Sequence, residues 1–409
     1  MKYQTMPKTK DDLSLLGFGC MRLPSSGTRV KEDEAIKQIR YAVDKGINYF
    51  DTAWPYHNGA SEVILGKALK EGYREKVKIA DKLPHWLCKS REDMDDYLDE
   101  QLKRLDVEAI DYYLIHMIDG SSWERAKELG VIDFMNKAKS SGKVINLGFS
   151  FHGAGKDFNP IIDDYDWAFC QIQYNILDET AQAGIDGLNY AWSKGIGVVI
   201  MEPLRGGVLA NKLPKEVEGV YRKADKNRSN VDWALRWIWN HPGVITILSG
   251  MNTIEMIDEN MAIADSSGWE TMGEEELATV KAAADKFRSL QKVPCTACQY
   301  CMPCPRGVNI PMAFSFYNDK YLFKTGLWSR AMYLLQLSGQ VTEGRKPELA
   351  SQCVDCGLCM KHCPQHIQIP TELKKVEKEY EGLFTKPILG LFKLGFNQSK
   401  KKKKKKKKD

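Results

Sequence analysis

The chain has 409 residues, room for two or three ordinary domains or for one large α/β barrel with a smaller companion. With 43% apolar and 28% charged residues it is composed like a globular protein, which excludes a wholly disordered or collagen-like chain. The formal net charge of +5 comes from nine terminal lysines, Lys400–Lys408, without which acids slightly outnumber bases, so no nucleic-acid surface is expected on the folded body.

From Leu15 to about Ser249, short apolar runs alternate with helical patterns. The runs predicted as strands are Leu15–Met21, Ile47–Asp51, Val77–Lys82, Ile110–His116, Val144–Ser150, Ala168–Tyr174, Gly197–Glu202 and Val244–Ser249. Between them apolar residues recur at i, i+3 and i+4, as in Glu32–Lys45 and Arg91–Leu105. Gly46 and Gly195 stand where helices end before strands, the place for a left-handed cap. Continuous apolar strands separated by helices mean a parallel sheet, and eight such units match a (β/α)8 TIM barrel. No G-x-G-x-x-G opens a helix, which argues against an open dinucleotide-binding sheet.

A second region begins near Lys292, where two cysteine groups flank the mostly helical pattern of Pro305–Gln352. Thr371–Leu383 reads as a charged helix, and Phe384–Phe396 is apolar with interspersed lysines. The predicted fold is α/β, a barrel over residues 1–285 joined to a smaller, mostly helical ferredoxin-like domain over 286–383. A solvated tail over 384–409 completes the chain.

Catalytic residues of a barrel sit at the C-terminal ends of its strands. There the sequence offers Asp51, Lys82 and His116, with Tyr56 five residues after Asp51. Together these suit carbonyl reduction. A hydride arriving at carbon leaves negative charge on oxygen, which needs a proton donor. Tyr56 can be that donor, Lys82 can lower its pKa, Asp51 can hold the ammonium, and His116 can orient the carbonyl.

These residues, with Thr52-Ala53, Glu62, Leu65-Gly66-Lys67-Ala68-Leu69, Leu114-Ile115 and Gly148-Phe149-Ser150, resemble the aldo/keto reductases from about Leu15 to Asn260. The resemblance implies a nicotinamide-dependent oxidoreductase interconverting a small carbonyl and an alcohol, with Asp51, Tyr56, Lys82 and His116 as its catalytic tetrad. It further implies carboxamide contacts from Ser150 and Gln171, a pyrophosphate loop at Pro203-Leu204-Arg205-Gly206-Gly207, and an adenosine-side loop over Ser249, Gly250 and on to Asn260. Three positions depart from the family pattern. Met201, beside Glu202, stands where an aromatic residue commonly stacks on nicotinamide, Phe151 stands where Asn often follows the serine, and Ser249–Met256 has no Lys or Arg. A 2′-phosphate wants a cationic partner, so NAD(P)(H) is expected without a preference for NADP.

Cysteine is the strongest single signal: eight of the 11 fall between Cys295 and Cys363. Without a secretory pattern in polar Met1–Lys10, clustered cysteines point to metal in a reducing cytoplasm. The first group is Cys295, Cys298, Cys301 and Cys304-Pro305; the second is Cys353, Cys356, Cys359 and Cys363-Pro364. Three cysteines at x2 spacing wrap one corner of a [4Fe–4S] cubane, and the fourth of each run normally serves the other cluster. By that rule Cys295, Cys298, Cys301 and Cys363 hold one cluster, and Cys353, Cys356, Cys359 and Cys304 hold the second. The region resembles two-cluster ferredoxin domains of the α-helical type. Cys20, Cys88 and Cys170 read as small apolar residues, Cys20 also as a candidate contact near the cofactor.

The expected function is therefore a cytoplasmic oxidoreductase with two fused clusters exchanging electrons with a redox partner protein. A flavin could split a hydride into single electrons, but no flavin signature is legible. The alternatives are an electron-transfer module whose barrel is a scaffold, or clusters that are purely structural or redox-sensing. The lysine tail behind Leu389–Phe396 reads as solvated; its other reading is contact with an anionic membrane surface.

Overall fold

A computed structural model of the protein describes residues 1–382 apart from Thr28, Lys212, Thr296, Cys298, Gln299, residues 340–345 and Pro364. Cys298, Leu383 and the whole 384–409 tail therefore lie outside the described residues. The chain divides into two compact units, one of residues 1–211 with 218–282, the other of 212–217 with 283–409.

The first unit is a closed eight-stranded barrel in which every neighbouring pair is parallel. Its strands follow chain order around the ring: β1 Leu16–Gly19, β2 Tyr49–Asp51, β3 Lys78–Leu83, β4 Ile110–Ile118, β5 Val144–Phe151, β6 Phe169–Gln173, β7 Gly197–Met201 and β8 Val244–Ser249. All eight predicted strands are present, with ends displaced by up to two residues. Cys20 is not the end of β1 as expected; it opens a short turn, Cys20–Arg22.

Side chains alternate between the two faces of a strand, so residues two apart share the barrel interior. Tyr49, Ala80, Tyr112, Leu114, Phe169 and Val199 pack there in one buried cluster. Met6 and Leu13 join that cluster from the N-terminal hairpin of Tyr3–Thr5 with Asp12–Ser14, an element the apolar pattern did not reveal. Continuing the alternation by one step places Asp51, Lys82, His116, Gln171 and Met201 on the same inward face. An apolar stack is thus topped by a polar layer at the strands' C-terminal ends.

Helices cover the outside. α1 Glu32–Asp44 and α3 Arg91–Leu105 fall on their predicted segments, and Ser90 caps α3 through the Asp93 amide. Gly46 and Gly195 adopt positive φ as expected of caps. Between them in sequence lies α2 Ala60–Ala68, where a Cβ on Gly66 would come 2.4 Å from the Leu105 carbonyl oxygen. That close approach explains the glycine in the Leu-Gly-Lys-Ala motif.

The second unit is mostly helical, with helices Ile310–Phe323, Gly326–Leu337 and Ile369–Tyr380. Its core joins Val308, Ile310, Phe314, Tyr317, Tyr333, Leu334, Ile367, Leu373, Val376 and Tyr380. Cys295, Cys301, Cys304, Cys353, Cys359 and Cys363 pack against that core. Among the described residues no helix is long and apolar enough to cross a membrane.

Candidate functional site

The mouth of the barrel gathers the four tetrad candidates. Lys82 ends up fully buried, its Nζ donating to Asp51 Oδ1 at 2.6 Å and to the Thr52 carbonyl at 2.7 Å. The same ammonium lies 5.0 Å from the Tyr56 ring centre. Tyr56 stands edge-on to His116 at 6.3 Å, and Trp86 packs against His116 at 5.2 Å. Tyr56 follows β2 in a turn whose next residues, His57 and Asn58, take left-handed conformations.

Burial sets the electrostatics. It pushes the Tyr56 hydroxyl up to about 12, against the pull of Lys82, and Asp51 adds to the rise. The sequence expectation that Lys82 lowers this group has the right sign for the pair, but desolvation outweighs it. Desolvation would lower Lys82, yet Asp51 and Tyr56 hold it above the ordinary lysine value. Asp51 is raised by burial in spite of its ammonium partner. His116 is held far below the usual histidine range by burial and by Lys82, so its ring is neutral. Burial likewise brings His85 and His152 down to about 4.

Behind Lys82 the sequence hid a polar shell. Glu62 is buried, accepting from Arg104 at 2.7 Å and from Gln101 at 3.1 Å, while Gln101 also donates to the Lys82 carbonyl at 3.0 Å. Asp81 is fully buried and accepts from the Lys82 amide at 2.8 Å. Burial and the neighbouring Glu62 carboxylate raise it well above the ordinary aspartate range. Glu62 could be anticipated from its motif. Asp81 could not, since the carboxylate it meets, Glu62, stands on a different element, α2.

The residues expected around the cofactor lie on the same rim. Ser150 and Gln171 are partners across β5 and β6, both buried. Ser150 Oγ accepts from the Met117 amide at 2.7 Å, and Gln171 Nε2 faces the Met201 sulfur at 3.4 Å. Gln171 Oε1, His116 Nδ1 and Asp51 Oδ2 are buried without a hydrogen-bond partner. Arg205 is tied to Asp178 at 3.3 Å, and Asn260 donates to Ser249 Oγ at 3.0 Å. Gly206 takes positive φ, and a Cβ on it or on Gly250 would meet Arg22 at about 3 Å. A bound dinucleotide fits this rim: a carboxamide offers the donor that Gln171 Oε1 lacks, and glycine turns permit close backbone approach by phosphate. Cys20 is fully buried, and desolvation drives its thiol far up, so it behaves as an apolar residue beside Asp51 and Lys82.

Residues 15–282 match the family model of the aldo/keto reductase family, about two thirds of the sequence. The chain belongs to the aldo/keto reductase family. It is an oxidoreductase of that family with a further domain, for residues 294–367 match the 4Fe-4S dicluster domain. The reductase is 29% identical over 304 residues to L-galactose dehydrogenase of Arabidopsis thaliana, covering 68% of this chain and 92% of that one. It is 28% identical over 287 residues to a probable aldo-keto reductase 1 of Glycine max, covering 61% and 80%. Among solved structures it resembles aldo-keto reductase AKR11C1 from Bacillus halodurans in its holo form, with TM-score 0.59, 24% identity, and 69% and 96% of the two chains covered. An aldo/keto reductase from Klebsiella pneumoniae in complex with NADP and acetate gives TM-score 0.58 at 21% identity, with 69% and 95% covered. These likenesses bear on the barrel's fold.

In the cysteine unit of this reductase, Cys304, Cys353, Cys356 and Cys359 line one concavity, walled by Pro305, Ile310, Pro370 and Leu373. The fourth cysteine of the first run thus meets the first three of the second. Burial and the neighbouring cysteines raise the Cys359 thiol, the situation of sulfurs crowded around one space. A polynuclear cluster fits this donor set of four thiols around one space. Of the other expected set, Cys295, Cys301 and Cys363 are half-buried on the same core. A pattern that cysteine spacing alone does not draw attention to underlies this arrangement. Both runs continue as Cys-Pro-x-x-Val/Ile-x-Ile-Pro, and each Ile-Pro opens a helix, at Ile310-Pro311 and Ile369-Pro370. Proline suits a first helical turn because it needs no partner for a missing N–H.

Proposed function

We propose that the barrel interconverts a small carbonyl and an alcohol with NAD(H) or NADP(H), and that the cysteine domain carries two [4Fe–4S] clusters with crossed ligand sets. The division between them falls near residue 285. The observation that supports the reading best is the buried Lys82–Asp51 pair set beneath Tyr56. A bound nicotinamide supplies or accepts the hydride. Tyr56 stays protonated through the neutral range, the state a donor needs when a carbonyl oxygen gains charge. Lys82 stabilises the phenolate left behind, and Asp51 fixes the ammonium against that task. Neutral His116 hydrogen-bonds the substrate oxygen without competing for its proton. Ser150 and Gln171 hold the carboxamide. Trp86, beside His116, offers an apolar face for a small polar substrate, and the likeness to L-galactose dehydrogenase supports a sugar-like one.

Cys304 with Cys353, Cys356 and Cys359 holds one cluster, and Cys295, Cys298, Cys301 and Cys363 hold the other. Clusters held by these cysteines would supply single-electron transfer to or from a redox partner protein. Tyr56→Phe tests the barrel: turnover falls by about 10²–10⁴ while dinucleotide affinity is kept. A wild-type protein that turns over no carbonyl or alcohol with either dinucleotide sinks the reading. Anaerobic absorption during NADH or NADPH addition tests the clusters, since bleaching of the band near ~400 nm means nicotinamide electrons reach them.

A further inference from the structure

The rim offers one cation that the tetrad and the expected cofactor contacts do not use. β1 ends at Gly19, and the turn Cys20–Arg22 delivers Arg22 to the exposed mouth of the barrel. Its stem lies along the turn after β8: a Cβ on Gly250 would come 2.9 Å from Arg22 Cδ and 3.0 Å from its Cβ and Cγ. Its guanidinium reaches the turn after β7, where a Cβ on Gly206 would come 3.1 Å from Arg22 Nη2. Two glycines in the turns after neighbouring strands therefore make the groove that holds this one side chain. The turn is also fastened to the catalytic loop, since the Leu23 amide donates to His57 Nε2 at 3.2 Å, next to Tyr56.

The guanidinium is placed but not consumed. Among the described residues it makes no hydrogen bond and no ion pair, and Glu202 is the carboxylate that feels its field. Arg205, the cation the sequence pointed to, is bound to Asp178. Ser249–Met256 supplies no lysine or arginine. A dinucleotide whose nicotinamide was held at Tyr56 and Gln171 would bring its pyrophosphate to the rim as its first anionic group beyond them. Guanidinium is the side chain best shaped to grip phosphate oxygens in pairs.

We propose that Arg22 is the pyrophosphate anchor of the dinucleotide site, taking over from the β1 turn the charge role that the β7 and β8 turns leave unfilled. The proposal rests on the reading of this rim as a nicotinamide dinucleotide site. Because pyrophosphate is common to both dinucleotides, the anchor serves NADH and NADPH alike.

The test is binding, measured on the full-length protein by quenching of tryptophan fluorescence with NADH, NADPH and ADP-ribose. Arg22→Gln weakens all three about ten- to a hundredfold, the loss of a charge-assisted contact, and flattens the salt dependence of binding. Arg22→Lys recovers part of it. Gly250→Val, which displaces the Arg22 stem while leaving its charge, reproduces part of the loss. Circular dichroism melts of the variants match the wild type, since Arg22 is exposed. Unchanged affinity in Arg22→Gln overturns the proposal while leaving the dinucleotide site intact. A loss confined to NADPH also overturns it, because the guanidinium then serves a 2′-phosphate. Wild-type protein that binds none of the three probes removes the underlying reading and the anchor with it.

Discussion

Lys82→Met is the sharpest test of how the barrel mouth is held. The Lys82 and Asp51 side chains are 0% and 3% exposed, with 2.6 Å between Nζ and Oδ1. Removing one partner of such a pair leaves a charge in a dry site, which costs about 3–5 kcal/mol. The penalty depends on pH. Asp51 is already raised by burial with its ammonium present, and without it the carboxyl rises further. A carboxyl raised in the fold is protonated cheaply at low pH. It costs stability as pH climbs from the ordinary aspartate value to the folded one, at about 1.4 kcal/mol for each tenfold change in its acidity. The loss in Lys82→Met is therefore larger at pH 8 than at pH 5. Asp51→Asn/Lys82→Met recovers most of it, because no bare charge remains. Nine of the ten tryptophans lie within residues 1–282, so fluorescence-detected denaturation reports on the barrel unit. Equal penalties at pH 5 and pH 8, or a double variant no more stable than the single one, would refute this account of the pair.

Three further outcomes follow from the same geometry. Cys304→Ser removes a ligand from the set with Cys353, Cys356 and Cys359, so reconstituted protein retains about four rather than about eight irons; the electron spin resonance signal that survives is that of the cluster without Cys353. Gly66→Ala pushes a methyl against the Leu105 carbonyl, a contact of 2.4 Å, and lowers barrel stability by about 1–3 kcal/mol in a thermal melt without changing cluster content. Carbonyl reduction stays flat between pH 6 and 9, because the proton on Tyr56 is lost only as pH approaches about 12; a reductive rate that falls with an apparent pKa near 7 contradicts this placement of the donor.

What the sequence made legible was what depends on period and spacing. Continuous apolar runs located the eight strands because a buried parallel strand has no polar face to interrupt it. Reading the C-terminal ends of those strands picked out Asp51, Lys82 and His116, because barrel chemistry sits there; the structure adds that the strand alternation turns all three to one inward face. The cysteine runs were legible for a similar reason, since ligand spacing is a local property of the chain. Four features were out of reach because they arise only where separate segments meet. The sequence identifies Lys82 beside Tyr56, but whether burial or charge governs the phenol depends on everything packed around it, and burial prevails. Asp81 reads as one more polar residue in a strand until Glu62, from another element, is brought against it. Arg205 stood in the expected loop, but a loop position does not reveal that Asp178 has already claimed its charge. Arg22, more than 180 residues away in sequence, lies in a groove formed by Gly206 and Gly250, and only barrel closure between β8 and β1 brings these turns together. Charge needed at a site is thus not always supplied by the segment that lines it, and in a closed barrel the first and last strands are neighbours.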